Sequence, residues 1–439
     1  MTALAQLYQA DGIEVSGSDV SERFMTDEVL ERAGISVFTD FRVEDVPDEI
    51  DEVVVSKAFY DRAKEVTNPH VKEVLLRELP VRTYSQALGD FSKRFTSIGV
   101  AGSHGKTTTT GLLGQTLVSL GKNPHVVVGS FVPQFGGNAH IGGKDTTFLV
   151  AENDEYQRHF LDFSPRAVII LNIDFDHPDY YKDLNDYLSA FREYLEGLPM
   201  GGFAVVNGDD ENVKKVIDMY EGDAKIISFG EESWNDYRLV DRTIESSSGT
   251  FPLELSIIGK HSRMNALAVF AFLHYLDFDT SQVLRGMKSF TGTKRRQELI
   301  GTLDLEALVY DDYAHHPKEI RATLQAFRET YPDSRLRVVF QPHTYSRTAA
   351  LKDEFAEALT MADEVLLLPI YGSKREKQGG AKTEEIEERM KELEFENVGV
   401  YESFDLVKAE LLQREFDGQD IVITMGAGDV WTVSHDMLK

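Results

Sequence analysis

One stretch constrains this chain more than any other: Gly102-Ser103-His104-Gly105-Lys106-Thr107-Thr108. Before it runs Ile98-Gly99-Val100-Ala101, an apolar segment that reads as a buried strand. After it, Thr109 to Leu120 reads as a helix that stops at Gly121. A strand, a glycine-rich turn and a helix N-terminus in that order make an anion site, because backbone N–H groups and the helix dipole converge on one point. Glycine lets that backbone approach a phosphate closely. Lys106 adds a point charge for terminal phosphates, and the Thr107 hydroxyl can ligate the magnesium ion that accompanies a nucleotide. The strict phosphate-loop pattern wants a glycine where Val100 stands, so a glycine-rich turn that binds nothing is the alternative. Alone, the stretch points to a nucleoside triphosphate and no further.

The rest of the chain supplies context for that loop. At 439 residues it is too long for one core, and about three domains are expected. The pattern divides it into 1–85, 86–293 and 294–439. In the first segment, Met1–Ala10 reads as a helix and Ile13 to Asp19 as a strand ending in a polar turn. Val53-Val54-Val55 reads as a further strand, followed by Ser56. An acidic residue after such a strand can hold a ribose hydroxyl. Asp19 suits that role, or equally the N-cap of a helix in Ser-Asp-Val-Ser-Glu. A dinucleotide-type domain begins with an apolar strand and a glycine-rich turn, whereas this chain opens on the helix. Either the true start lies upstream or this Rossmann-like domain lacks its first strand, which would leave an unpaired sheet edge.

In the middle segment, Thr147–Ala151 reads as a strand with Glu152-Asn153-Asp154-Glu155 at its end. Ala167–Asn172 reads as another, leading into Asp174-Phe175-Asp176-His177. Ligand groups gather beyond the carboxyl ends of parallel strands. A carboxylate and an imidazole there could complete a magnesium shell begun by Thr107, although magnesium prefers oxygen ligands. Solvated turn residues are the alternative. Gly259–Ala266 opens an apolar helix, Ala266–Leu276, and for Asn265 a plain polar residue of a first helical turn is the alternative. In the last segment, four predicted strands end in polar turns: Asp311–Pro317, Gln341–Thr348, Ile370–Gly372 and Met425–Asp429. That alternation predicts a third α/β domain.

Composition narrows the partners. There is no Cys, hence no disulfide and no thiol nucleophile. A net charge of −28, from 46 basic and 74 acidic residues, repels phosphate backbones and anionic lipid, which argues against nucleic-acid and membrane-surface binding. No apolar run is long enough for a transmembrane helix. With these features the cytoplasm is the expected location.

With these residues in view, the chain resembles the Mur ligase family along nearly its whole length. The resemblance rests on Gly102–Thr108, Glu152–Glu155, Asn172–His177, Gly259–Ala266, Lys294-Arg295-Arg296, Asp311–Pro317, Gln341–Thr348 and Gly426–Asp429, in that order. It implies three α/β domains: a Rossmann-like UDP-sugar-binding domain, a central phosphate-loop ATPase and a Rossmann-like amino-acid-binding domain. It also implies a reaction. The lactyl carboxylate of UDP-N-acetylmuramate attacks the γ-phosphate of ATP, and the amine of L-alanine displaces phosphate from the acyl phosphate. The Gln341–Thr348 stretch is similar to the alanine-adding branch.

By the same resemblance, Gly102, Ser103, His104, Gly105, Lys106, Thr107 and Thr108 would wrap the ATP phosphates. Thr107, Glu152 and His177 would hold Mg2+, and Asn265 would contact adenine. Arg296 and Asp312 would serve the phosphates and ribose, so that Lys106, His177, Arg296 and Asp312 form the catalytic set. Asp19 and Ser56 fall to the UDP-sugar side, and His315, His343 and Arg347 to the amino acid. Both substrates are small molecules, and the expected assembly is a monomer or homodimer. The sequence departs from the family pattern at Asn153 and Tyr156, where Ala and Ser are common, at Ser262, where Asn is usual, and at Thr344, where Arg is usual. A sister ligase adding a peptide, glycine or serine is the nearest alternative. A nucleotide-binding scaffold without ligase activity is a more distant one, and a kinase or plain ATPase leaves the turns of the last segment unexplained.

Overall fold

A computed structural model of the chain describes residues 1–22, 26–56, 59–60, 66–177, 180–303, 306–372 and 380–438. The chain forms two compact units. One comprises residues 1–256 and 264–291, the other residues 257–263 and 292–439.

The first unit is built on a ten-stranded sheet. Its central strand is Thr96–Ala101, paired in parallel with Phe148–Glu152 on one side and Ala167–Ile170 on the other. Beyond Phe148–Glu152 lie His125–Val132 and an antiparallel edge, Gly137–His140. Beyond Ala167–Ile170 the parallel run continues through Phe203–Asn207, Lys225–Gly230 and Tyr237–Val240. Two antiparallel strands, Thr243–Ser246 and Gly249–Pro252, close that side. The inner strands are apolar without alternation, as burial on both faces requires. Ile98, Val100, Ala101, Val168, Ile169 and Ile170 are all buried. One face is covered by the helix Leu184–Glu196, through Tyr187, Phe191 and Tyr194. The same face, on the other side of Thr96–Ala101, receives the opening helix Thr2–Ala10, whose Ala3, Leu4 and Leu7 pack with Leu88, Phe91, Val127 and Leu149. The chain leaves the central strand toward one side of the sheet and later returns to the other. The loop after Thr96–Ala101 therefore sits at a topological switch point, where ligands bind in open parallel sheets.

The rest of the first segment forms two short parallel pairs. Ser16–Ser18 pairs with Ser36–Phe38, and Val53–Val55 with Val81–Thr83. The strand expected over Ile13–Asp19 is thus confined to Ser16–Ser18. The helix expected from Thr109 begins earlier, at Lys106, and the one expected from Ala266 begins at Lys260.

The second unit carries a six-stranded sheet in the order Glu298–Thr302, Leu308–Asp312, Asp420–Met425, Arg335–Phe340, Glu364–Leu367, Val398–Val400. All pairings are parallel except the first. The four strands whose polar turns were singled out in the sequence are neighbours, so those turns share one edge. Both units bear out the α/β reading with parallel sheets.

Candidate active site

The phosphate-loop geometry follows from its two glycines. Gly102 has φ +135°, and a Cβ there would lie 3.0 Å from the Asn172 carbonyl oxygen. Gly105 has φ +83°, caps the helix Lys106–Ser119, and a Cβ there would lie 2.8 Å from Asn265 Oδ1. These are left-handed conformations that other residues adopt at a cost. Asn265 is buried directly against the loop.

Asn172 fixes the loop's shape, a function that sequence reasoning missed. Its Oδ1 accepts from the His104 amide at 2.8 Å and its Nδ2 donates to the His104 carbonyl at 3.0 Å. Ser103 adds a reciprocal pair with Asp174: the Ser103 hydroxyl donates to the Asp174 carbonyl at 2.8 Å, and the Asp174 amide donates back to Ser103 Oγ at 2.9 Å. His104 Nε2 lies 3.2 Å from Asp174 Oδ2.

Lys106 lies along the loop, donating to the Gly102 and Ser103 carbonyls and pairing with Glu155 Oε2 at 2.9 Å. Burial disfavours its ammonium, but the Glu155, Glu152 and Asp154 carboxylates outweigh burial and hold its pKa above the ordinary value. Lys106 is therefore charged. Glu155 is 2% exposed; the sequence marked it only as part of the Glu152–Glu155 cluster and gave it no role, because that role depends on two strands lying side by side.

Thr107 is buried, and its hydroxyl donates to Glu152 Oε1 at 2.9 Å. The Gly129 amide donates to Glu152 Oε2 at 2.6 Å. A Cβ on Gly129 would stand 2.7 Å from Glu152 Oε2, so only glycine allows this seat. His177 gathers with Asp154 and Glu155, their ligand atoms all within 4.8 Å of one another. His177 Nε2 is 3.8 Å from Glu155 Oε1 and 3.9 Å from Asp176 Oδ2. Thr108 lies in the first turn of the helix.

In the first segment, Asp19 follows the strand Ser16–Ser18 and its Oδ1 accepts from the Val20 amide. The next helix begins at Asp27, so Asp19 does not cap it. Ser56 follows Val53–Val55, and its carbonyl accepts from the Phe59 and Tyr60 amides. His70, unremarked in the sequence, is held by Ser18 Oγ at 2.7 Å and by the Arg42 carbonyl at 2.6 Å.

In the second unit, Asp312 closes the strand Leu308–Asp312 and is 3% exposed. It accepts from the Gln297 and Ala314 amides, each at 2.8 Å, and from Thr323 Oγ1 at 3.3 Å. Burial raises its carboxyl to about 6 despite the pull of Arg296. Arg296 and Arg295 both lie 5.1 Å from the Tyr313 ring. Arg295 pairs with Asp311, which is fully buried. His315 is pushed down to about 4 by burial, the opposing Glu319 notwithstanding. Its ring meets that of His343 edge-on at 5.8 Å, and His343 stacks on Tyr371 at 5.6 Å. Arg347 occupies the first turn of the helix Tyr345–Leu359.

A charged lysine and a carboxylate-bound threonine, on a glycine-rich loop at the switch point of a parallel sheet, define a phosphate-loop α/β protein. Comparison with known proteins narrows this. Residues 1–96 match the Mur ligase family, catalytic domain; residues 100–273 match the Mur ligase middle domain; residues 295–428 match the Mur ligase, glutamate ligase domain. The UDP-N-acetylmuramate--L-alanine ligase of Desulfitobacterium hafniense is 39% identical, across 100% of this chain and 97% of its own. That of Streptococcus equi subsp. zooepidemicus is 38% identical, across 98% of this chain and 93% of its own. Among solved structures, the UDP-N-acetylmuramate-alanine ligase MurC of Thermotoga maritima has a TM-score of 0.83 at 27% identity, covering 100% of this chain and 95% of that one. The chain belongs to the Mur ligase family, whose members are ATP-dependent ligases.

Proposed function

We propose that this chain joins L-alanine to the lactyl carboxylate of UDP-N-acetylmuramate in an ATP-dependent reaction of peptidoglycan precursor synthesis. The supporting observation is full-length similarity to ligases of that name, at up to 39% identity, together with the Lys106 and Thr107–Glu152 arrangement at the loop. The division of labour follows the segments 1–85 for the UDP-sugar, 86–293 for ATP and 294–439 for the amino acid.

The chemistry explains the parts. A carboxylate is a poor acyl donor until it is phosphorylated. In the first step two anions meet, so catalysis is mostly charge neutralisation and positioning. The loop amides of Gly102–Thr108 cradle the phosphates, and Lys106, charged and already held in the loop, takes the terminal ones. Asn265, which packs against Gly105, contacts the adenine. The carboxylate oxygen attacks the γ-phosphorus, ADP leaves, and the amine of L-alanine then attacks the acyl carbon and expels phosphate. Arg296 and Asp312 serve the phosphates and ribose, Asp19 and Ser56 the UDP-sugar. His315 and His343 line the amino-acid pocket, with Arg347 pairing the alanine carboxylate through its guanidinium fork.

The donor set at the loop fits a hard divalent cation. The Thr107 hydroxyl and Glu152 carboxylate lie 2.9 Å apart, and Asp154, Glu155 and His177 converge nearby. Thr107, Glu152 and His177 would hold Mg2+, which when bound neutralises phosphate charge. No helix among the described residues is long and apolar enough to cross a membrane. Both ATP and the UDP-sugar are cytoplasmic metabolites, which supports a cytoplasmic location.

The test is phosphate release from ATP with UDP-N-acetylmuramate, with and without L-alanine, glycine or L-serine. Release that requires both the UDP-sugar and L-alanine is expected. Release indifferent to the amino acid would refute the assignment.

A further inference from the structure

Two rings meet beside the phosphate loop in a way that the reaction as described does not use. Tyr156 and His177 pack in a tilted arrangement, with centroids 4.6 Å apart and planes inclined at 47°. A ligating imidazole is ordinarily oriented by a hydrogen bond from its second ring nitrogen. Among the described residues no hydrogen bond holds the His177 ring. Its nearest carboxylate oxygens, on Glu155 and Asp176, are 3.8 and 3.9 Å away. The His177 backbone is also left-handed, at φ +59°.

The segment that presents Tyr156 is held as if its placement mattered. Gln157 and Arg158 are both left-handed, at φ +51° and +58°, a conformation that persists in non-glycine residues only where the surroundings enforce it. The enforcing contacts come from the helix Leu184–Glu196. The Arg158 guanidinium donates to Asp186 Oδ1 and Glu193 Oε2, each at 2.8 Å, and to Ser189 Oγ at 3.0 Å. On the other side, the Tyr181 hydroxyl donates to the Glu155 carbonyl. Tyr156 is thus fixed from both flanks, with its ring against His177.

We infer that Tyr156 is the positioning residue for His177: its ring packs against the imidazole and holds it toward Glu155. This rests on the functional reading above, in which His177 holds the metal. It also gives a physical role to a position where the sequence departs from the family's usual Ser.

The test uses Tyr156→Phe, which keeps the ring, and Tyr156→Leu, which keeps apolar bulk without it. Tyr156→Leu is expected to lower kcat about ten-fold or more and to weaken Mn2+ binding by a similar factor, the usual range for losing an outer-shell partner. KM for L-alanine should stay within about two-fold of wild type, and Tyr156→Phe should restore kcat and Mn2+ affinity. In metal-free protein, the His177 ring-proton resonances should move in Tyr156→Leu and hold their positions in Tyr156→Phe. Wild-type kcat and Mn2+ affinity in Tyr156→Leu would overturn the inference, as would a Tyr156→Phe variant as impaired as Tyr156→Leu. If wild-type protein shows no alanine-dependent phosphate release, the functional reading fails instead. Mn2+ affinity and the ring resonances then still decide the role of Tyr156.

Discussion

Asp312→Asn should change how the second unit's stability responds to pH. The Asp312 carboxyl rises from its ordinary value of 3.8 to about 6 on folding, chiefly through burial. The native state therefore binds more protons than the unfolded state between these values, and stability falls as pH rises through that window. The whole effect is about 3 kcal/mol, and the part lying between about pH 4.5 and pH 8 is about 2 kcal/mol. Asparagine cannot ionise, so the variant lacks this slope and gains about 2 kcal/mol relative to wild type over that range. A constant offset is superposed. The two Asp312 oxygens accept from the Gln297 amide on one side and from the Ala314 amide and Thr323 hydroxyl on the other. A single amide oxygen leaves one set facing an NH2 group, at about 1–3 kcal/mol. The chain has two tryptophans, Trp234 and Trp431, and only Trp431 lies in the second unit. In a Trp234→Phe background, urea unfolding followed by fluorescence reports that unit alone. The other carboxylates cancel in the difference between variant and parent. A difference constant to within about 0.5 kcal/mol across the range would refute the burial argument.

Other consequences are direct. Lys106→Ala should abolish alanine-dependent phosphate release while leaving the protein folded by circular dichroism; a variant turning over near the wild-type rate would remove Lys106 from the catalytic set. Gly129→Ala would drive a methyl to 2.7 Å from Glu152 Oε2. It should raise the Mg2+ concentration needed for half-maximal turnover several-fold, in keeping with a displaced ligand. His315, lowered to about 4, stays neutral at and above neutral pH. The pH profile of kcat/KM for L-alanine should therefore show no inflection near pH 6.5 that disappears in His315→Gln.

What was legible in the sequence is what chemistry makes local. Gly102–Thr108 announces itself because the glycines, the lysine and the threonine must be contiguous to make the loop. The strand ends at Glu152 and at Asn172–His177 stand out because polar residues follow apolar runs abruptly. What was not legible depends on strand order. Asn172 can clamp His104, and Glu155 can pair with Lys106, only because Phe148–Glu152 and Ala167–Ile170 flank the loop strand, and spacing along the chain does not encode that adjacency. The opening helix shows a similar limit. Ala3, Leu4 and Leu7 mark a buried face, yet nothing in them says that it packs on the central sheet beside Leu88, Phe91 and Leu149. In Ser16-Gly17-Ser18 the strand is short and polar, so backbone pairing with Ser36–Phe38 defines it, and its apolar neighbours Ile13 and Val15 misled the boundary.

The most direct test of the account follows an oxygen atom. UDP-N-acetylmuramate labelled with 18O in its lactyl carboxylate is incubated with ATP, Mg2+, L-alanine and the protein, and the released phosphate is examined by mass spectrometry. If the carboxylate attacks the γ-phosphorus and alanine then expels phosphate, one labelled oxygen leaves with each phosphate and the amide retains the other. Phosphate released without label would mean that water, not the carboxylate, attacks ATP, and would contradict the ligase mechanism.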